Sequence, residues 1–147
     1  MESLPAVAGL SWSKIRALAR QLASSPPVEP TLAAVPGLLS ASEPAERQLG
    51  VYLLGFTCAG RPDQVGLLRQ QAVTDPSWEV QEAVAQAFDA CCRAVGYEHA
   101  LPTIDAWLAD DHPNVRRAAS EGLRPWTAGT RGYFAAHPTE AIRRLAS

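Results

Sequence analysis

The stretch that decides the fold is Val80–Phe88, which reads VQEAVAQAF. Its apolar residues lie at i, i+3, i+4, i+7 and i+8, which is the spacing of one buried helical face. The pattern returns 35 residues later, and 35 residues earlier it is apolar at four of five positions. The later set is Val115, Ala118, Ala119, Gly122 and Leu123, and the earlier set is Ala45, Gln48, Leu49, Tyr52 and Leu53. A helical stripe that recurs at a fixed period is typical of stacked helical pairs.

The repeat therefore predicts an all-α, right-handed α-solenoid of about three helical pairs plus an N-terminal helix. We expect one domain over residues 1–147, with a less regular part over 1–40 and repeats over 43–147. Helices are expected over 11–24, 43–57, 63–73, 76–94, 97–109 and 113–124, and residues 31–40 form at best a short helix around Pro36. Asp75 is expected to cap the helix that Pro76 begins. A last helix from His137 has no partner, so the final repeat is expected to be incomplete.

Composition excludes several classes of protein. Hydrophobic residues make up 47% and charged residues 19% of the chain, which is typical of a globular domain. No apolar run approaches the roughly 18 residues of a membrane helix, and the N-terminus lacks the pattern of a secretory signal. We expect a cytoplasmic protein without membrane contact. Cys58, Cys91 and Cys92 fit neither a disulfide framework nor zinc spacing, so they are expected to be reduced and to pack in the interior.

The charges are unevenly distributed along the chain. Residues 76–112 hold seven acidic residues against Arg93 alone, whereas residues 113–147 hold six arginines against two glutamates. Lys14 is the single lysine among the basic residues. This preference for arginine suits the recognition of phosphate or carboxylate groups, and a GC-rich genome would produce it equally well.

The face opposite the core stripe of helix 76–94 contains polar residues and one tryptophan. At about 100° per residue, this face carries Trp78, Glu82, Ala85 and Asp89. The 35-residue period then predicts a surface groove in which Arg47, Glu82 and Arg117 follow one another across three helices, with Asp89 facing Arg124.

This groove has two interpretations. The first is a ladder of ion pairs that keeps the repeats in register, each exposed pair contributing roughly 0–1 kcal/mol. The second is a binding groove in which arginines hold an anion while Trp78 and Glu82 face a cation, since aromatic faces and carboxylates both stabilise positive charge. Trp78 favours the second, because a ladder of ion pairs does not need it. Trp126, between Arg124 and Arg131, could stack on bases or pack over the solenoid edge.

Residues 75–82 and 114–126 resemble the HEAT-repeat DNA alkylation-repair proteins, the AlkD-like DNA glycosylases and their relatives. The resemblance extends over about residues 43–147 and rests on Trp78 and Glu82, four residues apart, and on Val115-Arg116-Arg117. It implies a HEAT-like solenoid whose concave face holds duplex DNA. It also implies release of cationic N3- and N7-alkylated purines, 3-methyladenine and 7-methylguanine, without flipping of the base into a pocket.

The resemblance also implies roles for individual residues. Trp78 would contact the sugar and the cationic base of the lesion, Glu82 would stabilise the developing oxocarbenium ion and position water, and Arg117 would contact a phosphate. The acid of the family is usually Asp, and a second catalytic tryptophan comes from a later repeat that would begin after Ser147.

The resulting prediction is a monomeric DNA-binding protein of the alkylation-repair type that acts on duplex DNA. Glu82 and Trp78 are the catalytic candidates for an alkylpurine DNA glycosylase that needs no cofactor or metal. The phosphate-binding candidates are Arg47, Arg116, Arg117, Arg124 and Arg131, and Trp126 is a stacking candidate. The alternatives are a non-catalytic scaffold whose groove takes a protein or peptide, and a relative that binds DNA structures only.

Overall fold

Two layers of antiparallel helices form the structure. The computed structural model describes residues 4–123, except for the side chains of Tyr97 and Leu123. Within that range it contains seven helices and no strand. They are α1 (Trp12–Ser24), α2 (Glu29–Leu39), α3 (Pro44–Phe56), α4 (Asp63–Thr74), α5 (Trp78–Val95), α6 (Tyr97–Leu108) and α7 (Pro113–Leu123). Helices α1, α3, α5 and α7 pack side by side in that order, and α2, α4 and α6 cover them on one side. The all-α solenoid is therefore confirmed.

One helix is longer than the sequence predicts. The expected short helix around Pro36 is an 11-residue helix, α2, with Pro36 inside it. Proline removes one hydrogen bond from a helix interior. Here Thr31 and Val35 are buried, and α2 packs along α3. Tertiary packing of one apolar face therefore maintains a helix that local propensity disfavours.

The predicted stripe forms the core of the described residues. All five of its positions on α5 are buried, and Tyr52, Leu49 and Leu53 of α3 are buried beside them. Phe88 stacks on Trp107 of α6 with ring centroids 4.1 Å apart. Burial of this continuous surface between neighbouring repeats is what stabilises a solenoid.

Two glycines allow the inner-layer helices to approach each other closely. A Cβ atom added to Gly55 of α3 would lie 2.7 Å from the Cα of Ala87 in α5. A Cβ atom added to Gly122 of α7 would likewise clash with the backbone carbonyl of Ala85 in α5. The helices α3, α5 and α7 therefore pack backbone to backbone along their shared sides.

We expect Gly55→Ala to lower the free energy of unfolding by about 1–3 kcal/mol, because overpacking at a rigid backbone contact forces the helices apart. Gly66→Ala in α4 is the matched control, since nothing lies within 4 Å of its added Cβ. That change is expected to stabilise the helix by up to about 1 kcal/mol. Urea unfolding of both variants measures the difference, and equal effects would contradict the close contact.

The loops that lead into α5 and α7 repeat one arrangement at the predicted period. Asp75 and Asp110 lie 35 residues apart, and each accepts a hydrogen bond from the backbone N–H two residues later, at 2.9 Å in both cases. Each carboxylate also takes two bonds from one arginine: Arg47 holds Asp75 and Arg69 holds Asp110. The hydrogen bond from Arg69 is the main reason why the pKa of Asp110 lies below its usual value.

The expected capping of α5 is wrong in detail. Ser77, not Asp75, is the N-cap residue, and Pro76 lies before the helix, which begins at Trp78. The side chain of Asp75 is only 1% exposed and is held by Arg47. Gln71 Nε2 also donates to it at 2.7 Å. Because these bonds hold the carboxylate inside the loop, it fixes the turn before α5.

Two of the cysteines also differ from the prediction. Cys58 and Cys91 form a disulfide whose Cα atoms lie 5.3 Å apart. The expectation of reduced cysteines is wrong for this pair, because Cys58, just after α3, lies against α5. Cys92 is free and buried, and burial raises the pKa of its thiol to about 12. None of the helices in residues 4–123 is long and apolar enough to cross a membrane.

Candidate functional site

Three side chains form a cluster on the inner-layer face that α2, α4 and α6 do not cover. Trp78 and Glu82 lie one turn apart on α5, so they share a face, and Arg117 reaches them from α7. Arg117 Nη2 donates to Glu82 Oε1 at 2.7 Å. The Arg117 guanidinium carbon also lies 3.9 Å from the centroid of the Trp78 ring. The Arg117 guanidinium therefore contacts both a carboxylate and an aromatic face. These are the two kinds of group that stabilise a cation.

A cleft of about 330 Å³ opens beside this cluster. Its walls come from α1, α3 and α5 and include Trp12, Tyr52, Trp78, Glu79, Glu82 and Gln86. Trp12 is 55% exposed and Trp78 is 61% exposed, and both are large apolar side chains on the surface. A cleft of this volume falls in the range that small ligands occupy.

Tyr52 contributes a buried wall of the cleft. Its ring is 1% exposed and stacks with Phe56 at a centroid distance of 6.3 Å. Burial raises the pKa of Tyr52 to about 12; the charge of Arg16 opposes this shift, and that of Glu82 adds to it. The phenol therefore keeps its proton at neutral pH and can donate a hydrogen bond.

The Ser77 hydroxyl hydrogen-bonds to Glu79 and lowers the pKa of that carboxyl.

Gln86 carries a buried polar atom without a partner in the described part of the chain. Its Oε1 atom has no hydrogen bond there, although the residue lines the cleft. An unsatisfied buried carbonyl costs about 1–3 kcal/mol. Such groups are few in native structures, and a water or an ion is one of the usual partners that completes them.

Arg47 does not lie in the groove as predicted. It pairs with Asp75 at 2.8 Å, and Nη1 donates to the carbonyls of Ala41 and Ser42. Arg116 does the same in the third repeat, donating to the carbonyls of Asp110 and Asp111. Arg47 and Arg116 are 69 residues apart, one short of two 35-residue periods, and one residue turns a side chain by about 100°. Arg47 therefore matches Arg116 and not Arg117, and Glu82 pairs with Arg117.

Two other residues assigned to the open face are buried. Ala85 is 2% exposed and Asp89 is 8% exposed, because α7 packs against that side of α5 with Gly122 at the contact. Asp89 forms an ion pair with Arg93 of its own helix at 3.0 Å. The predicted contact of Asp89 with Arg124 lies outside the described residues, as do Arg131, Trp126 and the helix expected from His137.

Helix α1 carries a sequence pattern to which no function was assigned. Trp12, Arg16 and Arg20 lie at i, i+4 and i+8, and all three line a surface groove on α1. Arg20 also lies over the Phe56 ring at 4.4 Å. A tryptophan followed by arginines at helical spacing was the signal in the sequence that could have identified this groove. In residues 4–123, no group of three or more His, Cys, Asp and Glu side chains could hold a metal ion.

Comparison with known proteins identifies the class. The family model for HEAT repeats matches residues 31–124, which is more than half of the chain. The chain therefore belongs to the HEAT-repeat family. None of the curated proteins compared with it matches.

Two solved structures place the chain more closely. It is similar to smu.31 from Streptococcus mutans UA159, with 34% identity and a TM-score of 0.81, over 91% of this chain and 65% of that one. It is equally similar to AlkD2 from Streptococcus mutans, with 34% identity and a TM-score of 0.83, over 92% of this chain and 64% of that one. The chain thus spans just under two thirds of the length of these relatives. The similarity confirms the resemblance to AlkD-like HEAT-repeat proteins that the sequence indicated.

Proposed function

We propose that this chain binds duplex DNA and is of the alkylation-repair type, with Trp78, Glu82 and Arg117 at the centre of the interface. The observation that carries the proposal is the position of Arg117, which pairs with Glu82 at 2.7 Å and stacks on Trp78 at 3.9 Å. A ladder of ion pairs explains the first contact and leaves the second unexplained. A site in which Trp78 and Glu82 bind a cation, beside a bound anion, accounts for both contacts of Arg117.

In this account Arg117 occupies the cation position while DNA is absent. Its side chain is 31% exposed and that of Glu82 is 38% exposed, so water competes for both and the pair is weak. A DNA phosphate attracts the guanidinium strongly, because arginine matches phosphate with two parallel hydrogen bonds. Movement of Arg117 to the phosphate then leaves the Trp78 ring open to the positively charged base and the Glu82 carboxylate open to the sugar.

The same arrangement supports hydrolysis of the N-glycosyl bond. The bond between C1′ of the sugar and the base nitrogen breaks, its electron pair goes to the cationic base, and the base leaves as a neutral molecule. The positive charge that develops on the sugar is stabilised by the negative charge of Glu82. A fixed charge of opposite sign near the developing charge lowers the barrier. Water then attacks C1′ and gives its proton to the carboxylate.

Salt dependence tests the DNA-binding part of the proposal. Affinity for duplex DNA should fall steeply between low and moderate ionic strength, because bound phosphates release counterions. We expect Arg117→Ala to weaken binding to every duplex sequence and to reduce the slope of log affinity against log salt by about 1. Fluorescence polarisation with a labelled duplex measures both quantities.

Arg61→Ala is the matched control for this experiment. It removes the same charge, and Arg61 lies before α4, where it donates to the carbonyls of Thr57 and Ala59. It should leave affinity and slope unchanged. If the wild-type chain shows no salt-dependent affinity for a duplex, the proposal fails, and the scaffold for a peptide becomes the better description.

A further inference from the structure

A second pocket, of about 380 Å³, lies on the side of α5 that faces α4 and α6. Its walls come mainly from the second half of α5 and from the first two turns of α4 and α6. Most of the side chains that line it are apolar, and Phe88 is one of them. Trp78 and Glu82 lie on the other, uncovered face of the inner layer, so this pocket is separate from the proposed DNA interface.

The pocket reaches one end of the disulfide. Cys91 forms part of its wall, whereas Cys58, in the loop after α3, is not among the described residues that line it. Both cysteines are buried, with exposed fractions of 2% and 1%. Thiol–disulfide exchange requires the attacking sulfur to approach one sulfur of the bond directly. A small thiol in this pocket therefore meets Cys91 and not Cys58.

The charges near the two ends of the disulfide are opposite in sign. Arg61 donates to the backbone carbonyls on either side of Cys58. On the α5 side, burial and then the charge of Asp89, which pairs with Arg93, raise the pKa of the Cys92 thiol to about 12. Positive charge stabilises a thiolate and negative charge destabilises it. Cys58 is therefore the better leaving group, since the sulfur that forms the more stable thiolate leaves faster.

We propose that Cys91 is a site of reversible S-thiolation by a low-molecular-weight thiol that enters between α4 and α6. The thiol loses its proton to water, and its sulfur forms a bond with Cys91 Sγ. The bond between Cys91 and Cys58 breaks, and its electron pair leaves with Cys58 Sγ, which then takes up a proton. In the reverse reaction the Cys58 thiolate attacks Cys91 Sγ and expels the thiol, so neither direction needs an oxidant.

The exchange opens a cross-link between two repeats. The disulfide joins the loop after α3 to α5, and its cysteines are 33 residues apart in sequence. Such a bond stabilises the folded state mainly by restricting the unfolded chain. Thiolation should therefore lower the midpoint of urea unfolding. The reaction uses none of the residues at the proposed DNA interface, so it stands or fails independently of DNA binding.

Mass spectrometry of the trapped intermediate tests the point of attack. The oxidised wild-type chain is treated with 2-mercaptoethanol, quenched with excess N-ethylmaleimide and digested with trypsin, which separates Cys58 from Cys91 by cleavage after Arg69. We expect the mercaptoethanol adduct on Cys91 and the maleimide on Cys58, in about tenfold excess over the reverse arrangement. Equal amounts of the two arrangements, or three free thiols in the chain before treatment, would overturn the proposal.

A variant that fills the pocket tests the route of entry. Gly66 lines the pocket, and nothing lies within 4 Å of a Cβ added to it, so Gly66→Leu should fold and place its side chain in the opening. It should slow reduction by 2-mercaptoethanol by about tenfold, because the sulfur of Cys91 is then shielded. Gly37→Leu in α2 is the matched control, since its added Cβ also meets nothing within 4 Å. Equal reduction rates in the two variants would overturn the proposal.

Cys92→Ser shows which sulfur of the pocket reacts. Cys92 also lines the pocket, and the high pKa of its thiol keeps it protonated at neutral pH. The thiolate is the reactive form, so the variant should be reduced at a rate within about twofold of wild type. A mercaptoethanol adduct that maps to Cys92 in the wild-type chain would overturn the assignment to Cys91.

Discussion

Replacing Glu82 with Gln is expected to lower the rate of 7-methylguanine release from alkylated duplex DNA by roughly a hundredfold or more. The carboxylate acts on charge that develops only in the transition state, so it contributes little to binding of the ground state. Affinity for the duplex should therefore stay within about twofold or rise slightly, since a negative charge near the phosphates has been removed. Single-turnover release of the base, measured beside polarisation binding, separates the two quantities.

Glu79→Gln is the control for this prediction. Glu79 lines the same cleft, and the change removes the same charge three residues away. Because its carboxylate hydrogen-bonds Ser77 and not Arg117, its loss should leave base release nearly unchanged. A similar fall in both variants would show a general charge effect and would contradict the role of Glu82. If the Glu82–Arg117 pair is purely structural, Glu82→Gln should only lower stability, by no more than about 1 kcal/mol.

Replacing Asp75 with Ala is expected to lower the free energy of unfolding by about 3–5 kcal/mol, the usual effect of leaving a buried charge without its partner. Asp75 accepts hydrogen bonds from Arg47, Gln71 and the Ser77 N–H, and its side chain is 1% exposed. Without it the Arg47 guanidinium, 13% exposed, loses its counter-ion. Urea unfolding measures the loss.

Two comparisons control the Asp75 prediction. Asp110→Ala removes the equivalent carboxylate of the next repeat, whose partner Arg69 is 44% exposed. It should be clearly less destabilising, because water can replace the missing partner. The double variant Asp75→Ala, Arg47→Ala should recover part of the stability that Asp75→Ala loses, since no unpaired charge stays buried. Equal effects of Asp75→Ala and Asp110→Ala would contradict the importance of burial.

The fold could be predicted from the sequence because the repeat is a matter of apolar spacing. The positions on α5 and their equivalents around Leu49 and Val115 are buried as expected, since a solenoid has no other way to cover such a stripe. The extent of α2 could not be predicted, because packing against α3 outweighs Pro36. The disulfide between Cys58 and Cys91 could not be predicted either, since it depends on how one loop meets the next repeat.

The site was predictable only in part. Trp78, Glu82 and Arg117 share one face of neighbouring repeats, and the structure brings them together. Arg47 was misplaced because a shift of one residue between repeats rotates a side chain by about 100°, away from the groove and towards Asp75. Ala85 was misplaced because the close approach that Gly122 permits covers it. The wall that Trp12 of α1 contributes to the cleft was missed, because α1 lies outside the 35-residue pattern.

The most direct test of the central claim is a two-dimensional NMR titration that follows the tryptophan indole N–H resonances as duplex DNA is added. Trp78 is exposed at the proposed interface, whereas Trp107 is 3% exposed in the core against Phe88. Assignments come from single Trp→Phe variants. We predict that the Trp78 resonance shifts and saturates with the DNA while the Trp107 resonance stays in place. A Trp78 resonance that does not move while the duplex is bound would contradict the account.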